Sequence, residues 1–325
     1  DPDNTTKYQS LVRTAQYWTY LDRGDQLVVE GSGQEAKEYY NKAQGLLPDN
    51  PQSYIRQASL ALLENDYLLA SARYRKGKQK DPLNAAALRG ILNTYVMQRQ
   101  PQIALQQAGT FTPAQQQLVR KEIDTLKIEQ LARRLDTYSN SQNNQRSTQQ
   151  VIDQLVQINP SDPWLRKEIA DLLISHERQG LAERLMADWA AGTQEPEMAY
   201  AYGLFLSQQD YSREAIVAIA SIPKGKRTVS MEISLERLKL KLAIEQAVAL
   251  YEKDPEKAVR MLQSYPRPKT VENRLSLAFA WMRMGDLGKA RLIIGSPNLS
   301  ALSDTLFIKY GEAVAVLDDK FLFDR

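Results

Sequence analysis

The chain has 325 residues, 43% of them apolar and 25% charged, with 42 lysines and arginines against 39 acids for a formal net charge of +3. That balance excludes wholesale disorder and the clustered basic charge of a nucleic-acid binder; the longest basic run is Lys224-Gly225-Lys226-Arg227. With no cysteine and a single histidine, His176, thiol catalysis and cysteine-built metal sites are excluded, and any catalytic triad would have to use that one imidazole.

In chain order, the N-terminus Asp1-Pro2-Asp3-Asn4 has neither a charged n-region nor an apolar h-region. A signal peptide is therefore absent or removed, and the chain reads as an excised piece of a longer protein. An amphipathic run, Gln34 to Ala43, leads to Leu47-Pro48-Asp49-Asn50-Pro51. Thirty-four residues further on come Asn65-Asp66-Tyr67-Leu68-Leu69-Ala70, Tyr74 and Asp81-Pro82-Leu83-Asn84, and thirty-four beyond that Pro101-Gln102-Ile103-Ala104-Leu105. The same small slot, Ala36, Ala70 and Ala104, continues through Thr148, Ala182, Ala215, Ala258 and Ala290, at spacings of 34, 34, 44, 34, 33, 43 and 32. A period near 34 with proline-marked turns is that of the tetratricopeptide repeat, two helices per unit.

Three coupled slots share this register. Gly24, Ala58, Ala170, Gly203 and Ala278 lie twelve residues before their alanines, in the first helix, where close helix approach demands a small residue. A bulky plug follows four residues after the small slot: Tyr40, Tyr74, Ile152, Met186, Ile219, Leu262 and Ile294. Pro48, Pro82 and Pro160 then stop the second helix, and Asp49-Asn50, Asn84 and Ser161-Asp162 offer turn and N-cap oxygens to the next. The predicted fold is all-α, a tetratricopeptide superhelical solenoid of about eight repeats, two of them interrupted.

The two long spacings mark the interruptions. A second helix stops early at Gly109-Thr110-Phe111-Thr112-Pro113 and a single helix is expected over 114–138; Ile222-Pro223-Lys224-Gly225-Lys226 does the same before a helix over 229–251. This predicts three segments, 1–112, 113–226 and 227–325, the second and third each opening with a long helix and the third closing with a C-terminal one. Changes of curvature or hinges are expected at 109–113 and 222–227. The polar run 139–145 is expected to be a loop, nothing reads as strand, and no stretch approaches the apolar length of a membrane-crossing helix; Ala199 to Leu206 is far too short. The end at Phe321-Leu322-Phe323 adds apolar surface to an uncapped array, so a dimer of this piece could arise from truncation.

Several segments resemble the cellulose synthase operon protein C family: Ser161-Asp162-Pro163-Trp164-Leu165-Arg166, Ala182-Glu183-Arg184-Leu185-Met186, and Met198 to Ser207. Ala220-Ser221-Ile222-Pro223 before a charged helix, Gln16-Tyr17-Trp18 with Gly24-Asp25, and the stretch from Pro48-Asp49-Asn50 to Leu88-Arg89-Gly90 resemble it too. The resemblance covers roughly residues 8–295. It implies a periplasmic region that precedes, in the full-length chain, a C-terminal outer-membrane barrel exporting the polysaccharide. The implied partners are components of the cellulose synthase complex, other periplasmic proteins, that barrel, and cellulose or cello-oligosaccharide, with no nucleic acid, no membrane span here and no cofactor. This sequence lacks alternating barrel strands, so it is not itself the pore. A scaffold for another exopolysaccharide and an α/α-barrel glycoside hydrolase are the alternatives; paired small slots at a 34-residue period argue against the barrel.

Candidate contacts come from first-helix positions that line the inner face of such a solenoid: Trp18, Arg89, Asn93, Trp164, Lys167, Asp171 and Tyr200. Aromatic faces beside polar groups suit sugar stacking or a partner peptide. His176 is expected in a surface turn. Glu35, Glu38, Glu122, Asp124, Glu129 and Glu256 are expected on solvated helix stripes, which argues against the convergent acid pair of a glycosidase. Arg23-Gly24-Asp25 spells an adhesion tripeptide, but Gly24 already occupies a mid-helix packing slot. Asn4-Thr5-Thr6 matches a glycosylation sequon and carries no weight in the bacterial periplasmic protein that the resemblance implies.

Overall fold

The computed structural model describes backbone residues 2–139 and 145–323, and side chains over 7–138, 145–300 and 302–317. The loop expected at 139–145 lies almost wholly outside the described residues, as do the side chains of Asn4-Thr5-Thr6 and Phe321-Leu322-Phe323. Among the described residues every regular element is helical. The chain divides into two compact units, Asp1–Glu177 and Arg178–Arg325.

The first unit holds α1 (Pro2–Val29), α2 (Gly33–Leu46), α3 (Pro51–Leu63), α4 (Tyr67–Lys80), α5 (Ala85–Met97), α6 (Pro101–Gly109), α7 (Pro113–Leu118), α8 (Arg120–Ser139), α9 (Gln145–Ile158) and α10 (Pro163–Ser175). The second holds α11 (Gln179–Ala191), α12 (Pro196–Gln208), α13 (Ser212–Ala220), α14 (Val229–Tyr251), α15 (Pro255–Gln263), α16 (Val271–Arg283), α17 (Leu287–Ile294) and α18 (Asp304–Phe323), with 3-10 turns at Lys224–Lys226 and Leu299–Ala301. Successive helices pack as antiparallel hairpins: α1 on α2, α3 on α4, α12 on α13, α14 on α15 and α16 on α17. That is the repeat of an all-α tetratricopeptide solenoid.

Local chemistry sets each boundary. The side chains of Asn50, Asn84 and Asp162 cap α3, α5 and α10 by accepting from backbone N–H groups of their first turns. Asp66, Asp254, Thr270 and Asp286 do the same for α4, α15, α16 and α17. Each capped helix thereby satisfies donors that would otherwise face only water. Within the repeats the first helix ends on a left-handed residue at one fixed register position: Gly31, Asn65, Arg99, Glu177, Asp210 and Gly285, with φ between 59° and 80°. The following N–H then reaches five residues back, as in Asp66 N to Ala61 O and Asp286 N to Trp281 O, closing the helix with a Schellman bond.

The core is a row of small-on-large contacts. Ala36, Ala70, Ala104, Ala182, Ala215, Ala258 and Ala290 are fully buried, as are Ala58, Ala170 and Ala278. The plugs Tyr40, Tyr74, Ile152, Met186, Ile219, Leu262 and Ile294 are buried too. A Cβ on Gly24 would run into the Tyr40 ring, and one on Gly203 would sit 2.5 Å from Ile219 Cγ1. In the third repeat the close approach uses Gly90, whose face the Tyr74 ring covers from the preceding repeat.

Three expectations are corrected. The single helix over 114–138 is two, because Val119 (φ −123°, ψ 27°) breaks it between α7 and α8; Thr112 and Gln115 form a capping box that starts α7 as a separate turn. Thr148 is only half-buried, and α9 buries Val151, Ile152 and Leu155 instead. Asp124 is not solvated but 1% exposed, with both carboxylate oxygens accepting from Arg120 Nε.

Both interruptions fall inside a unit, and both are bonded. Phe111 is buried under Lys78, whose Nζ lies 4.5 Å from the ring centroid, and Gln116 Nε2 donates to Ala108 O and Phe111 O. At the second, Arg227 donates to Ile222 O and Ala220 O at 2.8 Å and pairs with Glu232.

Candidate functional site

The first helices of the first unit present a connected face. Tyr17 on α1, fully buried, accepts the Ser53 N–H of α3 at 3.0 Å. Asp25 accepts Arg56 Nε at 2.8 Å and the Tyr40 hydroxyl at 2.8 Å. Burial and the Asp25 carboxylate both push the Tyr40 phenol far above its ordinary value, so it remains a donor. Asp25 therefore ties a plug of the first repeat to the first helix of the second. The Arg23-Gly24-Asp25 tripeptide is mid-helix and its acid is spent.

Arg89 on α5 reaches Glu122 on α8 at 2.8 Å, and Lys121 on α8 reaches Asp162 at 2.7 Å. Burial pushes the Asp162 carboxyl up, but the Lys121 ammonium and the Leu165 and Trp164 N–H groups outweigh it and hold the acid below the usual carboxylate range. Lys167 and Asp171 pair with each other along α10 at 2.7 Å. Four ion pairs on this face, Asp25–Arg56, Arg89–Glu122, Lys121–Asp162 and Lys167–Asp171, are thus staples between or along neighbouring first helices.

What the staples leave for a partner is aromatic and amide surface. Trp18 is 43% exposed, edge-on to Tyr17 at 5.3 Å, and Trp164 is 41% exposed at the start of α10. Asn93 is exposed one turn beyond Arg89. Trp164, Lys167 and Asp171 run down one stripe of α10; Arg89 and Asn93 share a stripe of α5. Tyr200 lies in the second unit, half-buried, with its hydroxyl 2.9 Å from Ser234 Oγ and donating to Ser230 O; it joins α12 to α14.

His176 lies in the expected turn at the end of α10, but its side chain is turned inward rather than out to the surface. It is the C-cap of α10 with its side chain 10% exposed; Nδ1 lies 2.8 Å from Leu172 O and 3.1 Å from Ser175 Oγ, and Nε2 lies 3.2 Å from Asp136. The Ser-His-Asp order resembles a triad only in composition. Ser175 Oγ donates to Leu172 O and shares Nδ1 with it, so the hydroxyl has no free general base. The Glu168 carboxyl is pushed up by partial desolvation and by the Glu129 and Asp171 carboxylates. Asp171 is neutralised by Lys167, while Glu122 and Asp124 are held by Arg89 and Arg120. Among the described residues no helix is long and apolar enough to cross a membrane, and no group of three or more His, Asp or Glu side chains is placed to hold a metal ion.

Helical hairpins joined through small slots, with a stapled first-helix face, define a tetratricopeptide-repeat protein. The relatives agree with the resemblance in the residues: the chain is similar to cellulose synthase operon protein C. It is 25% identical over 287 residues to that of Pseudomonas fluorescens (strain SBW25), covering 86% of this chain and 22% of the relative. It is 26% identical over 279 residues to that of Escherichia coli (strain K12), covering 84% and 24%. The chain spans a quarter or less of the length of the curated relatives described. No protein-family model matches it. Solved structures it resembles include pilF of Pseudomonas aeruginosa (18% identity, TM-score 0.37, 67% of this chain and 96% of that one) and the tetratricopeptide domain of P58(IPK) (15%, 0.29, 85% and 81%).

Proposed function

We propose that the chain is a non-enzymatic scaffold of bacterial cellulose biosynthesis and export, working in the periplasm as part of a longer outer-membrane protein. Its first-helix faces dock components of the cellulose synthase complex and hold them in register with the pore. The observation that carries this reading is the similarity to cellulose synthase operon protein C along more than four fifths of the chain. The mechanism is geometric: repeats add length cheaply because each packs only on its neighbours, and the charge staples fix the spacing of the exposed groups. The interruptions at 109–113 and 222–227 divide that length into the segments 1–112, 113–226 and 227–325.

The test uses the full-length protein in cells making cellulose. A photocrosslinking residue at Asn93 is expected to capture subunits of the cellulose synthase complex, and one at Leu68, on a second helix and 87% exposed, is not. Equal capture at both positions, or none at any first-helix position, overturns the reading. The exposed indoles of Trp18 and Trp164 favour a second role, contact with the glucan itself. Cellohexaose should then give a saturable tryptophan fluorescence change that Trp164→Ala abolishes; no response at millimolar sugar removes glucan from the surface.

A further inference from the structure

In the second unit, a groove of about 400 Å³ runs between the first helices α14 and α16. Its floor holds Asn273, 2% exposed, whose Nδ2 is buried without a hydrogen-bond partner. The residue's backbone N–H is already used, donating to the Thr270 cap, so the amide does nothing for the helix end. A buried donor left unpaired is costly, and native structures retain few of them. Arg237 on α14 and Arg283 on α16 line the same groove from its two sides. Both are exposed, and neither has a hydrogen bond or ion pair among the described residues. Lys241 and Glu245 also line the groove, one charge of each sign; Lys241 is held by Asp210 at 2.9 Å and lies 3.7 Å from Glu245, so the lining's unspent positive charge is that of the two guanidiniums. Ile244 and Phe279 supply half-buried apolar wall.

We infer that this groove is a docking site for an acidic, partly apolar segment of a partner protein, one of whose carboxylates is received by Asn273 Nδ2 and the two guanidiniums. The argument is one of complementarity. The unspent groups, two forked cations and one amide N–H₂, are all donors, and a carboxylate is an acceptor only. A glucan hydroxyl needs to give a proton as well as receive one, and so fits this set less well. The walls of Ile244 and Phe279 favour apolar neighbours on either side of the acid. The inference rests on the scaffold reading only in taking first-helix faces as docking surfaces.

The test titrates the 325-residue chain with a fluorescein-labelled short peptide alternating leucine and glutamate, read by anisotropy, with the glutamine analogue as control. Saturable binding by the glutamate peptide, weakening with salt, is expected. The double variant Arg237→Ala/Arg283→Ala should weaken it by at least about tenfold. Asn273→Leu should weaken binding and at the same time raise the melting temperature, because it removes an orphaned donor. A misfolded variant would show the opposite thermal shift, so lost binding cannot be confused with lost fold. Inorganic phosphate serves as competitor: displacement only at concentrations that act by ionic strength supports a carboxylate site. Displacement by stoichiometric phosphate overturns the assignment in favour of a phosphate-bearing ligand. Equal binding of the glutamine peptide, no binding at all, or indifference to both variants also overturns it. If crosslinks at Asn93 form while the glutamate peptide fails here, the scaffold reading stands and this inference alone falls.

Discussion

Gly24 shows how little room the repeat leaves at a single position. The Tyr40 ring packs directly against it, the Tyr40 hydroxyl donates to Asp25, and Asp25 accepts Arg56 of the next repeat. Gly24→Ala would displace the ring and with it the bridge between repeats, at a cost of about 1–3 kcal/mol typical of overpacking, measurable as a lower urea midpoint. The small-slot alanines and their plugs could be read from the sequence because sterics at a helix crossing dictate residue size. Asp124 and His176 could not: both are polar residues whose burial depends on partners 4 and 40 residues away, Arg120 and Asp136. Nor could the spent state of Arg89, Lys167 and Asp171, since a register places a residue on a face without saying which neighbour reaches it.

Glu168 carries a second prediction at the residue scale. Burial, Glu129 and Asp171 raise its carboxyl above the usual value, so the folded state binds the proton more tightly than the unfolded state does. Stability from this group is present below the unfolded value and is lost as pH rises through the folded one. At pH 7 the ionised Glu168 is a net cost, and Glu168→Gln should stabilise the protein by about 0.5 kcal/mol, the carboxyl being only partly desolvated and still screened by solvent. The gain should vanish at acid pH, where wild type and variant melt together; an undiminished gain there would contradict the account.

At the scale of the element, helix ends do most to define the repeat. The left-handed position that closes six of the first helices is not visible in the alanine register, although Gly31, Asn65 and Gly285 are residues that tolerate it. Arg99 and Glu177 hide it by occupying the same conformation with side chains that resist it, at φ 59° and 60°. Arg99→Gly relieves that strain against the extra freedom glycine brings to the unfolded chain, for a net gain of about 0.5–1 kcal/mol in thermal unfolding. The Asp162 cap works in the other direction. Its acid is held below the usual range, so its stabilisation is present above the unfolded value and lost as pH falls through the folded one. Asp162→Ala should cost about 1–2 kcal/mol at neutral pH, less in strong acid, and should free Lys121.

For the whole molecule, the repeat period gave the architecture, whereas the side chains that stitch the interruptions needed the structure. Arg227 was legible only as part of a basic run, yet it ties Ile222 and Ala220 to Glu232. In a solenoid each hairpin draws its stability from itself and its two neighbours, so damage spreads as far as neighbour coupling carries it and no further. Gly203→Ala sets that reach against a single cooperative unit. The new Cβ meets Ile219 Cγ1 at 2.5 Å and the Ala215 carbonyl oxygen at 3.2 Å, so the strain enters at the α12–α13 hairpin, and α13 in turn packs on α14. Hydrogen exchange of the variant should accelerate in α12, α13 and α14 while α1 to α5 keep their wild-type protection. Uniform acceleration from α1 to α17 would mean that the array unfolds as one body, and the nearest-neighbour account of how its repeats bear load would have to be given up.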